Sequence, residues 1–394
     1  MKKLLLLSVL TIILLASCSK DNDIENPVII PTTYLFERNG TSTVSYSGQT
    51  TRIEMGQEFI SALKNNIKTE VELDGMFAHQ ENGNDFSDSD LNASSKSLRS
   101  KTAASFDFFS SNSSDAALIK ADFDSWISGQ VNEVFPNWDN NASAGNPGNI
   151  QFGGGSIRYV NGKGLEYNQA INKGLIGALM VDQMLNNYLS TSILDEGTNR
   201  ADNDSGVLAS GKNYTTMEHK WDEAFGYLYG KDNAIDPELG ADSFLNKYLA
   251  RVDNDADFTG IAEDIYNAFK KGRAAIVAKN YTVRDEQANI IKEKVSMIIG
   301  IRAVYYLQQG KVNLPVDKAS GFHDLSEGFG FVYSLMFTRK PNSSEPYFTK
   351  SEVDSYISTL TAGNGFWDLT SDTLDSMSSS IASKFDFTVD EAAN

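Results

Sequence analysis

Cysteine and histidine are scarce in this chain, and so is positive charge; each scarcity closes off a class of protein. Cys18 is the single cysteine of 394 residues, so no intramolecular disulfide can form. There are three histidines, His79, His219 and His323, and no His-Glu-x-x-His string, which removes the helical zinc-peptidase arrangement. With one cysteine and no Ser/His/Asp signature, nucleophilic catalysis has no candidate, and an enzyme is not expected. Lys and Arg total 34 against 52 Asp and Glu, a formal charge of −18. So acidic a surface repels nucleic acid and anionic lipid. Glycine-rich runs occur at Gly153-Gly-Gly155 and Gly162-Lys-Gly164, but neither has Walker spacing or a Gly-Lys-Ser/Thr, so a phosphate loop is rejected. Strand patterns are nearly absent beyond residue 50.

The chain opens Lys2-Lys3 and then runs apolar from Leu4 to Ala16. That is shorter than the roughly 20 apolar residues a membrane span requires, and reads as a secretory signal. The run ends Leu15-Ala16-Ser17-Cys18, which resembles the lipobox of bacterial lipoproteins. The resemblance implies a signal peptide over 1–17, cleavage before Cys18 and acylation of that cysteine. The lipid would anchor the protein to a membrane through a polar tether, 18–33, with Pro27 and Pro31. Ser19-Lys-Asp-Asn-Asp23 resembles the acidic tag that sends some lipoproteins across the outer membrane to the cell surface; an ordinary solvated tether is the alternative. The expected location is the outer membrane, with the exposed face left open.

Residues 34–394 read as an all-α body. Tyr34–Gln49, rich in Thr, Ser and Gly, reads as a short extended segment with a small hairpin. Apolar periodicity predicts helices from Thr51 to about Glu70, over Ala116–Phe135, Leu165–Leu189, Tyr214–Tyr229, Asp242–Val252, Ile261–Lys279, Val283–Gln309, Phe322–Phe337, Ser351–Leu360 and Leu374–Phe385. Pro136 stops the second of these. Asn82–Ser105 and Asn137–Gly164 read as loops, the latter long and rich in Gly and Asn. Asp253-Asn-Asp-Ala-Asp257 lacks the glycine a calcium loop needs, and reads as an acidic cap for the next helix.

One motif occurs twice. His219-Lys-Trp-Asp-Glu223-Ala-Phe-Gly-Tyr-Leu-Tyr229 recurs as His323-Asp-Leu-Ser-Glu327-Gly-Phe-Gly-Phe-Val-Tyr333. The long helix before each copy ends Tyr-Leu, at Tyr188-Leu189 and Tyr306-Leu307. An internally duplicated bundle is therefore expected. At 100° per residue, His219, Glu223, Gly226 and Gly230 share a stripe, as do His323, Glu327, Gly330 and Ser334; the aromatic residues take the opposite, core face. Two readings of the polar stripe stand. In one, His219, Glu223, His323 and Glu327 hold a metal, with Asp222 as a further acid in the first copy; imidazole and carboxylate suit iron, zinc or copper. In the other, each glutamate bonds its helical neighbour and the glycines let another helix pack close. His79 sits at the edge of a polar loop and reads as a surface residue.

A lipoprotein of two helical halves with a His/acid motif resembles the imelysin-like proteins, which carry Gly-x-His-x-x-Glu. Here Glu218-His219-Lys-Trp-Asp222 and Gly321-Phe-His323-Asp-Leu-Ser326 each keep part of that pattern. The resemblance implies an envelope protein binding metal, iron or haem, passing it to an outer-membrane transporter. Ser42-Thr-Val-Ser-Tyr-Ser-Gly-Gln-Thr-Thr-Arg52, Lys96-Ser-Leu-Arg-Ser-Lys-Thr-Ala-Ala104 and Glu218–Tyr227 resemble an uncharacterised lipoprotein family, a domain of unknown function, which implies no activity. The alternative function is a surface or outer-membrane interaction protein without a small ligand.

Overall fold

A 33-residue helix, Tyr281–Asn313, is the spine of the molecule. The computed structural model describes residues 26–394; the expected signal peptide, Cys18 and the run Ser19–Asp23 lie outside the described residues. Among the described residues there are sixteen α-helices and two short antiparallel strand pairs, so the body is all-α as its periodicity predicts. None of the described helices is long and apolar enough to cross a membrane.

The spine buries Ile291, Val295, Ile298, Ile299, Val304 and Leu307. It packs against Ile261–Ala278, Lys318–Ser334 and Ser371–Ala382. Close approach is possible because small residues stand at the crossings: Gly300 lies under Phe385 and Gly310 under Leu325. Asn280 caps the spine by accepting the amide of Val283, and Lys279, at φ 62°, turns the chain out of the preceding helix.

A second long helix starts at Tyr167 and ends at Tyr188, and its regularity breaks into π turns over Ile176–Val181 and Met184–Tyr188. There Gly177 lies against Ser334, whose Oγ accepts the Gly177 amide at 3.1 Å. The helix is buried on all sides, with Asp182, Gln183 and Asn186 in its interior. Asp182 is satisfied by the amides of Ala104 and Ser105 and the Ser105 hydroxyl.

Several expected boundaries shift. The first helix spans Ser47–Ala62, beginning inside the segment read as extended, and a separate helix Glu70–Ala78 follows behind a Thr69–Glu72 capping box. The hairpin is present just upstream, Glu37–Arg38 paired with Thr41–Ser42 through Asn39-Gly40, both at positive φ. The Gly/Asn-rich stretch is not wholly loop: Gly148–Ile150 pairs with Arg158–Val160. The Asp253 side chain accepts the amides of Gly260 and Ala262, which is the acidic cap expected for the helix Ile261–Ala278. His79 is not on the surface. It is 4% exposed, with Nδ1 2.6 Å from Asp85 and Nε2 3.2 Å from the Ser94 carbonyl, because the polar loop folds back over it.

Candidate functional site

Thr215 and Glu218 form a reciprocal capping box that starts the helix Thr216–Tyr229, and this sets His219 in its first turn. His219 Nδ1 donates to the Ser45 carbonyl at 3.0 Å, and its ring stacks on Tyr214. A carbonyl can only accept, so the proton of the neutral ring sits on Nδ1 and Nε2 faces Glu223 Oε2, 4.0 Å away. Burial lowers the pKa of His219, with Glu223 pulling the other way. Glu223 is already engaged: Gln49 Nε2 donates to Oε1 at 3.2 Å, and Lys220 Nζ stands 3.6 Å from Oε2.

The helix Lys318–Ser334, capped by Asp317, repeats the arrangement with other partners. His323 Nδ1 lies 2.7 Å from Glu166 Oε1, and Nε2 lies 3.8 Å from Glu327 Oε1. That same oxygen is 3.2 Å from the ammonium of Lys173, which is 2% exposed. Burial alone would raise the pKa of Glu327. Lys173, then His323 and the Tyr306 hydroxyl, bring it down to about 2.

The glycines of both stripes admit a helix. A Cβ at Gly226 would overlap Tyr46, and one at Gly330 would overlap Lys173. The first pair is therefore covered by the helix beginning at Ser47 and the second by the helix beginning at Tyr167. A tyrosine from a long helix stands by each acid, Tyr188 by Glu223 and Tyr306 by Glu327; burial and then neighbouring charge push both phenols far up. The two pairs are held by different residues: Ser45, Gln49 and Tyr214 for one, Glu166 and Lys173 for the other.

Asp222, a candidate ligand by sequence, belongs elsewhere. Three residues past His219 is 60° short of a full turn, and this aims the carboxylate into the seam with the helix Ile261–Ala278. There the fully buried Arg273 donates from Nε to Asp222 Oδ1 at 3.0 Å, from Nη1 to Glu218 Oε1 at 3.0 Å, and from Nη2 to Thr43 Oγ1 at 3.1 Å. The Tyr34 hydroxyl and the Ser45 amide also donate to Asp222. Burial pushes this carboxyl up to about 6 against the pull of Arg273, so it is an anion at neutral pH. The network staples the N-terminal segment to two helices. Its one sequence signal is that Arg273 falls in line with Ile265, Phe269, Gly272 and Ile276, on a face that must be buried.

A metal held by protein alone requires at least three donors in its open form and four in its closed one. Each pair offers an imidazole and one carboxylate oxygen that already faces an ammonium. Among the described residues no group of three or more His, Cys, Asp or Glu is placed to hold an ion. The four candidates His219, Glu223, His323 and Glu327 are thus brought together two by two.

No curated protein and no solved structure matches this chain. A family model described as Domain of unknown function (DUF4856) matches residues 31–388, and the chain belongs to that family.

Proposed function

We propose that this is a cell-envelope lipoprotein acting as a partner-binding module, in which the two His–Glu pairs are joints of a duplicated helical body and hold no metal, iron or haem. The observation that carries this reading is the lysine at each pair: Lys220 beside Glu223 and Lys173 beside Glu327 stand where a cation would compete for the same oxygen. Duplication is supported by the matching companions of each motif: a covering helix over the glycine and a tyrosine beside the acid. Acylation at Cys18 would tether the body to the outer membrane. Partner contact is supported by the loop between the strands Gly148–Ile150 and Arg158–Val160, which holds Phe152 and Ile157 at 59% and 46% exposure. The test is recovery of partners of the acylated protein from outer membranes, with and without Phe152→Ser and Ile157→Ser. A stoichiometric partner lost in the double variant supports the reading, and recovery indifferent to it overturns the assignment of the loop.

A second reading keeps a metal at His323 alone, in line with the imelysin resemblance. Both of its ring nitrogens face carboxylates, Glu166 and Glu327. It requires Lys173 to leave Glu327. Calorimetry with iron, zinc, copper and haem separates the two: binding abolished by His323→Ala favours the second.

A further inference from the structure

Away from both histidine helices, a cavity of about 580 Å³ opens between the spine helix and the end of the helix that finishes at Tyr188. The spine presents Asp285, Ala288, Asn289 and Lys292 to it, which is one helical face at i, i+3, i+4 and i+7. The opposite wall is built around Asp107, whose Oδ2 accepts the Ser190 hydroxyl at 2.6 Å and Arg339 Nη1 at 2.8 Å. That carboxylate joins three separate stretches of chain into a fixed wall.

The charged groups of this lining, Asp107, Asp285, Lys292 and Arg339, sum to zero, but one of the cations has no partner in the fold. Asp107 is paired with Arg339, and Asp285 with Arg284 Nε at 2.8 Å. Lys292 is 7% exposed, yet no described residue forms a hydrogen bond or ion pair with its ammonium. Its stem is buried and its ammonium meets the cavity rather than a protein partner, which leaves its donors to solvent or to a ligand. Burial first and then Arg339 lower its pKa to about 8, while Asp107 and Asp285 raise it and Arg284 lowers it. It is charged at neutral pH. Around it stand two neutral donors, the hydroxyl of Thr191 and the Asn289 amide, which gives one of its two N–H groups to Asn342; the Ser190 hydroxyl proton is committed to Asp107.

We infer that this cavity is a binding site for a small oxyanion-bearing molecule, a carboxylate or a phosphate, received by the ammonium of Lys292 with the Thr191 hydroxyl and the Asn289 amide of the walls around it. The inference is independent of the Phe152 loop and of the histidine pairs, since none of their residues lines the cavity. Its chemistry is a charge-assisted hydrogen bond in an open recess.

The experiment is calorimetry of the full-length protein with inorganic phosphate and, separately, with glucuronate, a hydroxyl-bearing carboxylate. We expect one site per chain for at least one probe. Lys292→Met should weaken it by about tenfold or more, and Lys292→Arg should retain part of it. The affinity should fall as pH rises through about 8, where the ammonium deprotonates. Phosphate alone binding assigns a phosphate ligand, and glucuronate alone a carboxylate. Binding of neither, or binding undiminished in a folded Lys292→Met, overturns the inference. If that variant fails to fold, the wild-type protein still decides: acetic anhydride labelling of Lys292, read by mass spectrometry, should be slowed by the bound probe. Labelling unaffected by saturating phosphate and glucuronate overturns it equally.

Discussion

Replacing Arg273 by methionine removes the fully buried cation that joins the carboxylates of Glu218 and Asp222. The side chain is fully buried and makes three bonds near 3.0 Å, two of them to the carboxylates of Glu218 and Asp222. Methionine fills much of the volume, so the loss is chiefly electrostatic. Glu218 keeps Arg38 as a partner, whereas Asp222 keeps only the Tyr34 hydroxyl and the Ser45 amide. Breaking a buried ion pair from one side costs about 3–5 kcal/mol, a large share of the roughly 5–15 kcal/mol by which domains are stable. Urea denaturation at neutral pH measures it. The pH dependence has a definite sign. The folded pKa of Asp222, about 6, already lies above its unfolded value of roughly 3.9, so its ionised form disfavours the fold. Removing Arg273 raises the folded pKa further. The deficit of the variant is therefore greatest at high pH, and shrinks as pH falls through the variant's pKa toward about 6. Adding Asp222→Asn to the variant should recover part of the loss. A loss under about 1 kcal/mol, or a deficit that grows on acidification, would refute the reasoning.

The other predictions concern the histidine helices and their surroundings. Glu327 has a folded pKa of about 2, below its unfolded value of roughly 4.3; it contributes about 3 kcal/mol above that value, lost as pH falls through about 2, and Glu327→Gln should lack this dependence in acid denaturation. Lys173→Met leaves that acid buried with only His323 and the Tyr306 hydroxyl beside it and should cost about 3–5 kcal/mol in urea, with Lys173→Met plus Glu327→Gln less damaging than the single change. Gly226→Ala and Gly330→Ala should each cost about 1–3 kcal/mol by overlap with Tyr46 and Lys173, whereas Gly154→Ala, with nothing within 4 Å, should leave the melting temperature unchanged.

Where helix periodicity is strong, sequence and structure agree to within a few residues. The spine, the two histidine helices and the acidic cap at Asp253 all stand where their apolar stripes and capping residues put them. The misplacements share a physical origin in contacts remote in sequence. Ser47–Gln49 looks like part of an extended Ser/Thr run, yet Gln49 and Tyr46 are drawn into helix-start geometry by Glu223 and Gly226, far along the chain. His79 looks exposed because its neighbours are polar; Asp85 and Ser94, which bury it, lie on the returning loop. The glycines beside each His–Glu pair left two readings, room for a ligand or a closely packed helix, and local pattern cannot choose between them. Lys173 and Lys292 are invisible to motif reading for the same reason. A lysine inside an amphipathic helix reads as a solvated side chain until the packing around it is known.

The claim that the His–Glu pairs serve the fold is tested most directly by elemental analysis of the protein purified without chelators. The account predicts iron, zinc and copper well below one ion per chain, unchanged when His219 and His323 are both replaced by alanine. A full equivalent of one metal that disappears with those histidines would contradict it.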